Sequence, residues 1–154
     1  MKMISNIDKK HYDLIRKNVS DFILELSNIY DSKEINILDV APEKHLGAKE
    51  HFKNATIKIL DIDPNSDADY IADLCNTNTS IISDNTFDIV ICAEVLEHTN
   101  NPFNVVNELE RILKPGGLIL ITTPHAISRP LIEFLSFKIG IVSPDLVKDH
   151  KYYF

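Results

Sequence analysis

A doubly wound α/β sandwich is the architecture the sequence predicts, and three features carry that expectation. β-rich runs alternate with helical patterns along the chain. The runs FDIVIC (87–92) and LILIT (118–122) are nearly all apolar, as strands are when a parallel sheet is covered by helices on both faces. Acidic residues stand where successive runs end, at Asp39, Asp61, Asp73 and Glu94, and ligands of such sheets gather outside the carboxyl ends of the strands. With 154 residues, 44% apolar and 25% charged, the chain is expected to form one domain whose core needs no disulfide or structural metal.

The first element is an amphipathic helix over residues 8–30, with Tyr12, Ile15, Val19, Phe22, Ile23, Leu26 and Ile29 at three- and four-residue spacing. It ends near Asp31-Ser32. Ile35 to Val40 reads as the first strand, closed by Ala41-Pro42, and Leu46 to Phe52 as a short helix with Asn54 as its stop. Ile57 to Leu60 is the second strand, Tyr70 to Ala72 a short third, and Phe87 to Cys92 a fourth. The chain between Asp61 and Tyr70 is too short for a helical crossover, so a loop and a frayed third strand at the sheet edge are expected. Asn101 can cap a helix whose first position is Pro102, with Phe103, Val106, Leu109 and Leu113 as its buried face. Pro115-Gly116-Gly117 then ends that helix and releases the fifth strand, Leu118 to Thr122.

Composition removes several function classes. Gly47, Gly116, Gly117 and Gly140 cannot be arranged as GxGxxG, GxxxxGK[ST] or GxSxG, which excludes the standard dinucleotide fingerprint, P-loop and nucleophile elbow. A formal charge of −7 without a basic tract argues against a nucleic-acid partner. Cys75 and Cys92 form no CxxC and read as buried reduced thiols. No apolar run reaches the roughly 18 residues of a membrane span, and the N-terminus has no apolar leader, so a cytoplasmic protein is expected.

Two carboxylates ending neighbouring strands can hold a nucleoside, one taking both ribose hydroxyls and the other accepting from an exocyclic amine. Asp61 and Asp73 occupy such places, although ordinary solvated strand-end carboxylates would read the same way. The order of segments adds weight: ILDVAP, ILDIDP, ADLC, then FDIVICAEVLEH followed by LERILKPGGLILITTP. Together these resemble the class I S-adenosylmethionine-dependent methyltransferases, of the small-molecule, type 11-like kind, over residues 35–125.

The resemblance implies a Rossmann-like, three-layer αβα fold with a mainly parallel sheet of about five strands, lacking the last two strands usual in the family. It implies S-adenosylmethionine as cofactor and S-adenosylhomocysteine as product. Asp61 matches the acid that holds the ribose, with Ile62 on the adenine; Asp73 matches the acid that meets the adenine amine, with Leu74 on the other face of the ring. Asp39, Val40 and Ala41 match the loop approaching the methionine part, and Ala93 with Glu94 the segment closing the pocket beneath the sulfonium. The usual GxGxG departs to Ala41-Pro42-Glu43-Lys44-His45, where Pro42 removes an amide donor and Glu43 adds charge near the cofactor carboxylate, so a weakened hold is expected.

A sulfonium is already a strong electrophile, so the protein must chiefly align the methyl with an acceptor and exclude water. If the acceptor is a hydroxyl or amine, His98 in LEH and His150 in DHKYYF are the candidates to take its proton. His45 and His51 are not i,i+4 neighbours, and no metal site is expected. Residues 126–154 read as a lid or interface segment, and a homodimer through the Leu118–Thr122 edge or through the apolar stretch Leu131–Val142 would cover an exposed strand. In-line methyl transfer to a small-molecule acceptor is the leading function. A catalytically inactive methyltransferase-like binding module is the alternative, and a nicotinamide-binding domain a third reading.

Overall fold

The computed structural model describes residues 6–42, 47–76 and 81–123. A long helix, α1 (Asn6–Tyr30), is followed by strand β1 (Asn36–Val40), the one-turn helix α2 (Ala48–His51), β2 (Thr56–Asp61) and the two-residue β3 (Tyr70–Ile71). Then come β4 (Phe87–Ala93), a 3-10 turn (Leu96–His98), α3 (Pro102–Ile112) and β5 (Leu113–Thr122). The strands form one sheet in the order β3-β2-β1-β4-β5. Every pairing is parallel, with β1 central: Leu38 lies opposite Lys58 of β2 and Val90 of β4. The chain moves outward from β1 through β2 to β3, then crosses back to lay β4 on the other side of β1. The order therefore reverses between β1 and β4, and the crevice that opens at such a point is where doubly wound sheets bind ligands.

Alternation along the strands builds two cores, one on each face of the sheet. Leu38, Val40, Leu60, Val90 and Cys92 point into one, where Val105, Leu109 and Ile112 of α3 meet them. Ile37, Ile89, Ile91 and Leu120 point into the other, against Ile23 and Leu26 of α1, Ala48 of α2 and Phe52 just past its end. β1 and β4 are almost wholly buried, which is why β4 is a nearly unbroken apolar run rather than an alternating one; in β1 the buried positions include Asp39.

Asp31, just past α1, accepts hydrogen bonds from the backbone N–H groups of Lys53, Asn54 and Ala55 and fixes the entry to β2. Residues 62–69 form the expected loop, and β3 is the expected short edge strand. Asp69 makes that short connection workable. Its carboxylate accepts from Ile59 N–H at 2.9 Å, satisfying a ladder donor that β3 is too short to reach, and pairs with Lys58 at 2.8 Å.

Three sequence expectations are corrected. On α1, Phe22 and Ile29 are exposed (47% and 71%), and the buried stripe is narrower, running through Ile23, Leu26 and Ser27 with Val19 at its margin. The side chains of Tyr12 and Ile15 lie outside the described residues. On α3, Phe103 is 80% exposed and Val106 also faces outward; Pro102, Val105, Glu108, Leu109 and Ile112 form the buried face. Both stripes have helical spacing, and the observed one was masked by Glu108, whose carboxylate is retained by Arg111 at 3.0 Å.

The third concerns KPGG. Asn101 caps α3 as expected, its side chain accepting from Asn104 N–H, with Pro102 at the first position. The helix stops at Ile112, however, before the glycines, and β5 begins at Leu113. Leu113 pairs with Phe87 and Leu118 with Ile89, so Lys114 to Gly117 bulge out of the ladder. Gly116 takes φ +81°, and a Cβ on Gly117 would sit 2.8 Å from Asp88 O, so both glycines serve the bulge rather than a helix end. Cys92 is buried as expected, whereas Cys75 is only half-buried.

Candidate functional site

Because the strands are parallel, Val40, Asp61, Ile71, Ala93 and Thr122 end at one edge of the sheet. The two residues flanking the switch point have left-handed backbone: Ala41 after β1 (φ 47°) and Glu94 after β4 (φ 56°). Each turn is tied to the neighbouring strand, Ala41 N–H donating to Leu60 O at 2.7 Å and Glu94 N–H to Thr122 O at 2.9 Å. A left-handed non-glycine residue costs roughly 1–2 kcal/mol, and such strain clusters at ligand sites.

Asp39 lies inside the first of these turns. It is buried, and its Oδ2 accepts from Ala48 N–H, the first amide of α2, at 2.6 Å. Burial pushes its carboxyl up to about 6, against the Ala48 hydrogen bond and the Lys49 charge that pull it down. Gly47 makes that contact possible, since a Cβ there would fall 2.5 Å from Asp39 Oδ2 and 2.7 Å from Pro42 Cβ. The loop thus departs from the glycine-rich pattern at Ala41-Pro42 yet keeps a sterically required glycine at position 47. Asp39 and Val40 shape the turn from within, and Ala41 stands half-buried at its rim. Residues 43–46, with Glu43 and His45, lie outside the described residues.

Asp61 ends β2. Its Oδ1 accepts from Asp63 N–H at 2.9 Å, and its backbone carbonyl accepts from Ala72 N–H at 3.0 Å, holding the tips of β2 and β3 together. Ile62 beside it is 62% exposed, an apolar side chain available to a flat ligand. Asp73 follows β3; its Oδ1 accepts from Cys75 N–H at 2.9 Å and its Oδ2 from Asn76 Nδ2 at 3.0 Å. A carboxylate offers about four acceptor positions, so both oxygens retain capacity for a ligand donor. Leu74 differs from the expectation that it lies against a ring: it is 6% exposed and belongs to the core beneath the loop.

On the other side of the switch point, Ala93 and Glu94 are half-buried at the tip of β4, where the resemblance places the floor of the site. His98 ends the 3-10 turn with its side chain 40% exposed. Behind it stands Glu97, which sequence reasoning missed. Glu97 is 1% exposed, and its Oε2 has no hydrogen-bond partner among the described residues. Burial pushes its carboxyl up to about 7, assisted by the nearby charge of Glu94. Its Oε1 lies 3.9 Å from His98 Nε2, near enough for electrostatic coupling but too far for a hydrogen bond. The signal was present in EVLEH: an acid that close to a core strand, between Leu96 and a histidine, has little access to water. Gly47 was missed because its need arises from a contact across the turn. His150 and Leu131–Val142 lie outside the described residues.

Among the described residues no group of three His, Cys, Asp or Glu side chains is arranged to hold a metal ion, and no helix is long and apolar enough to cross a membrane.

Comparison with known proteins places this edge in context. Residues 22–121 match the family described as Methyltransferase domain. The mitochondrial ubiquinone biosynthesis O-methyltransferase of Dictyostelium discoideum is 31% identical over 115 residues, covering 75% of this chain and 34% of the relative. The chain thus spans about a third of the length of the curated relatives it matches. Among solved structures, the methyltransferase in complex with the Haloferax volcanii Trm112 activator superposes with a TM-score of 0.61 at 18% identity, over 88% of this chain and 62% of that one. An S-adenosylmethionine-dependent methyltransferase from Mesorhizobium loti gives 0.55 at 15% identity, over 72% and 56%. These likenesses establish the Rossmann-like fold. With a match that runs from α1 to the end of β5 and takes in the whole switch point, the chain belongs to the methyltransferase domain family.

Proposed function

We propose that residues 1–154 form one S-adenosylmethionine-dependent methyltransferase domain acting on a small-molecule acceptor. The observation that carries this reading is the placement of Asp61 and Asp73 at adjacent strand tips beside the switch point of a methyltransferase-family sheet. The tips suit a nucleoside. Asp61 has an oxygen uncommitted to the loop for ribose hydroxyls, and Ile62 offers an apolar surface to the adenine. Asp73 accepts from the exocyclic amine. The turn of Asp39, Val40 and Ala41 borders the methionine part, and Ala93 with Glu94 closes the site beneath the sulfonium. Acidic groups along one edge favour a cationic donor.

Bound there, S-adenosylmethionine would supply a sulfonium-activated methyl for the acceptor and be left as S-adenosylhomocysteine. The protein aligns that carbon with the acceptor and keeps water away. His98 takes the proton of a hydroxyl acceptor. His150 is the second candidate to take that proton, and residues 126–154 are the lid or interface segment. The names of the curated relatives, ubiquinone biosynthesis O-methyltransferases, favour a hydroxyl acceptor. The net charge of −7 disfavours nucleic acid. Two free cysteines suit the reducing cytoplasm. The β5 edge, with Leu118 and Ile121 partly exposed, is the face for a homodimer, which sedimentation at high concentration tests.

Incubation with methyl-labelled S-adenosylmethionine and a panel of phenolic and catecholic acceptors tests the reading. Label in an acceptor, lost in His98→Ala, is the expected result. Cofactor binding without transfer to any acceptor would instead favour a non-catalytic module.

A further inference from the structure

Among the described residues, a side-chain hydrogen bond from Asn104 fastens the loop carrying Asp73 to α3. Asn104, in the first turn of α3, donates from Nδ2 to the backbone carbonyl of Leu74 at 2.9 Å. A carbonyl can only accept, so this contact fixes which end of the amide faces the loop. Asn104 is itself held, its N–H donating to the Asn101 cap at 3.2 Å, while Pro102 and Val105 on either side of it are buried. α3 therefore presents a rigid donor to a loop that is otherwise held by its own turn: Asp73 accepts from Cys75 N–H, Asn76 Nδ2 and, through its carbonyl, Asn76 N–H.

Leu74 is the residue next to Asp73. The Leu74 carbonyl lies in the peptide joining Leu74 to Cys75, and the Asp73 carbonyl, held by Asn76 N–H at 3.2 Å, in the one before it. With the Leu74 side chain buried in the core, both peptides around Leu74 have little freedom to turn. We propose that Asn104 is a positioning residue that aims the Asp73 carboxylate at the exocyclic amine of the cofactor's adenine, and so sets the preference for adenine over a base lacking that amine. The inference rests on the proposed cofactor reading. Asn104 does not touch the ligand; it acts through the loop, and its loss is felt at one end of the cofactor only.

Binding of S-adenosylhomocysteine and of S-inosylhomocysteine, in which a carbonyl replaces the amine, separates this role from general support. The wild-type chain binds the adenine form more tightly. Asn104→Ala lowers affinity for the adenine form about tenfold, as expected for one misaligned charge-assisted hydrogen bond, and changes affinity for the inosine form less than about twofold. Asn104→Asp keeps the shape, removes the donor and gives the same collapse of preference should the alanine variant fold poorly. Equal weakening of both ligands, or no change in their ratio, overturns the positioning role while leaving the cofactor reading intact. A wild-type chain that binds neither ligand overturns the cofactor reading, and this inference with it.

Discussion

Gly47→Ala is the substitution that most sharply probes the turn after β1. The backbone at Gly47 (φ −84°, ψ −177°) is open to any residue, so conformation alone would make alanine mildly stabilising, by about 0.4–1 kcal/mol through the unfolded state. Sterics oppose this. The new methyl would sit 2.5 Å from Asp39 Oδ2 and 2.7 Å from Pro42 Cβ, and the carboxylate is buried and held by Ala48 N–H at 2.6 Å. Relief requires moving the turn, at about 1–3 kcal/mol for overpacking, and stretching a buried charge-assisted hydrogen bond worth about 1.5–3 kcal/mol. The net expectation is a loss of about 1.5–5.5 kcal/mol after the entropic gain is subtracted. Urea denaturation at unchanged m-value reads it as a lower midpoint. The mechanism makes a second demand. In an Asp39→Ala background the carboxylate is gone, so Gly47→Ala must cost at least about 1 kcal/mol less than in the wild type. Equal costs in both backgrounds, or a stabilised single variant, would show that Asp39 and Gly47 do not meet as described.

Ala41→Gly removes the cost of a left-handed alanine and should raise stability by roughly 0.5–1 kcal/mol in the same assay, whereas an unchanged midpoint would contradict the strained turn. Asp39 and Glu97 carry raised pKa values, so the folded chain holds two protons that the unfolded chain releases near its ordinary carboxyl range, 3.8 and 4.5. Their contribution is therefore full below about pH 4 and declines as pH rises to about 7, on the order of 2–3 kcal/mol for each. The stability of Asp39→Asn/Glu97→Gln relative to wild type should rise over that interval; a pH-independent difference would refute the assignment. Leu109→Ala, at a fully buried position on α3, should cost about 2–5 kcal/mol, while Phe103→Ala on the exposed face should cost under about 0.5 kcal/mol.

Much of the fold is legible in the chain because β4 is buried on both faces and leaves a nearly unbroken apolar run, and because Asn101-Pro102 marks a helix start by its own chemistry. The same local rules fail where two solutions share one period. Phe103 and Val106 make as good a stripe as Val105, Leu109 and Ile112, and only contact with the sheet selects between them. KPGG reads as a helix stop because Pro and Gly end helices, yet its place opposite Asp88 in a strand bulge depends on a neighbour 26 residues away in sequence. The acids at strand ends could be located from sequence, since each follows an apolar run directly. Their different states could not: Asp39 spends its carboxylate on Ala48 inside a turn, whereas Asp61 accepts from Asp63 N–H through one oxygen. Glu97, past the strand end and shut away from water, was not singled out at all. Those differences come from chain segments that the sequence does not place side by side.

Isothermal titration of S-adenosylhomocysteine into the wild-type chain and into Asp61→Ala tests the adenosyl site most directly. A nucleoside held at the tips of β2 and β3 predicts saturable heat in the wild type and an affinity lowered by about 1–3 kcal/mol in the variant, roughly 5- to 150-fold. No heat from the wild type at millimolar ligand, or equal affinity in the two chains, would contradict it.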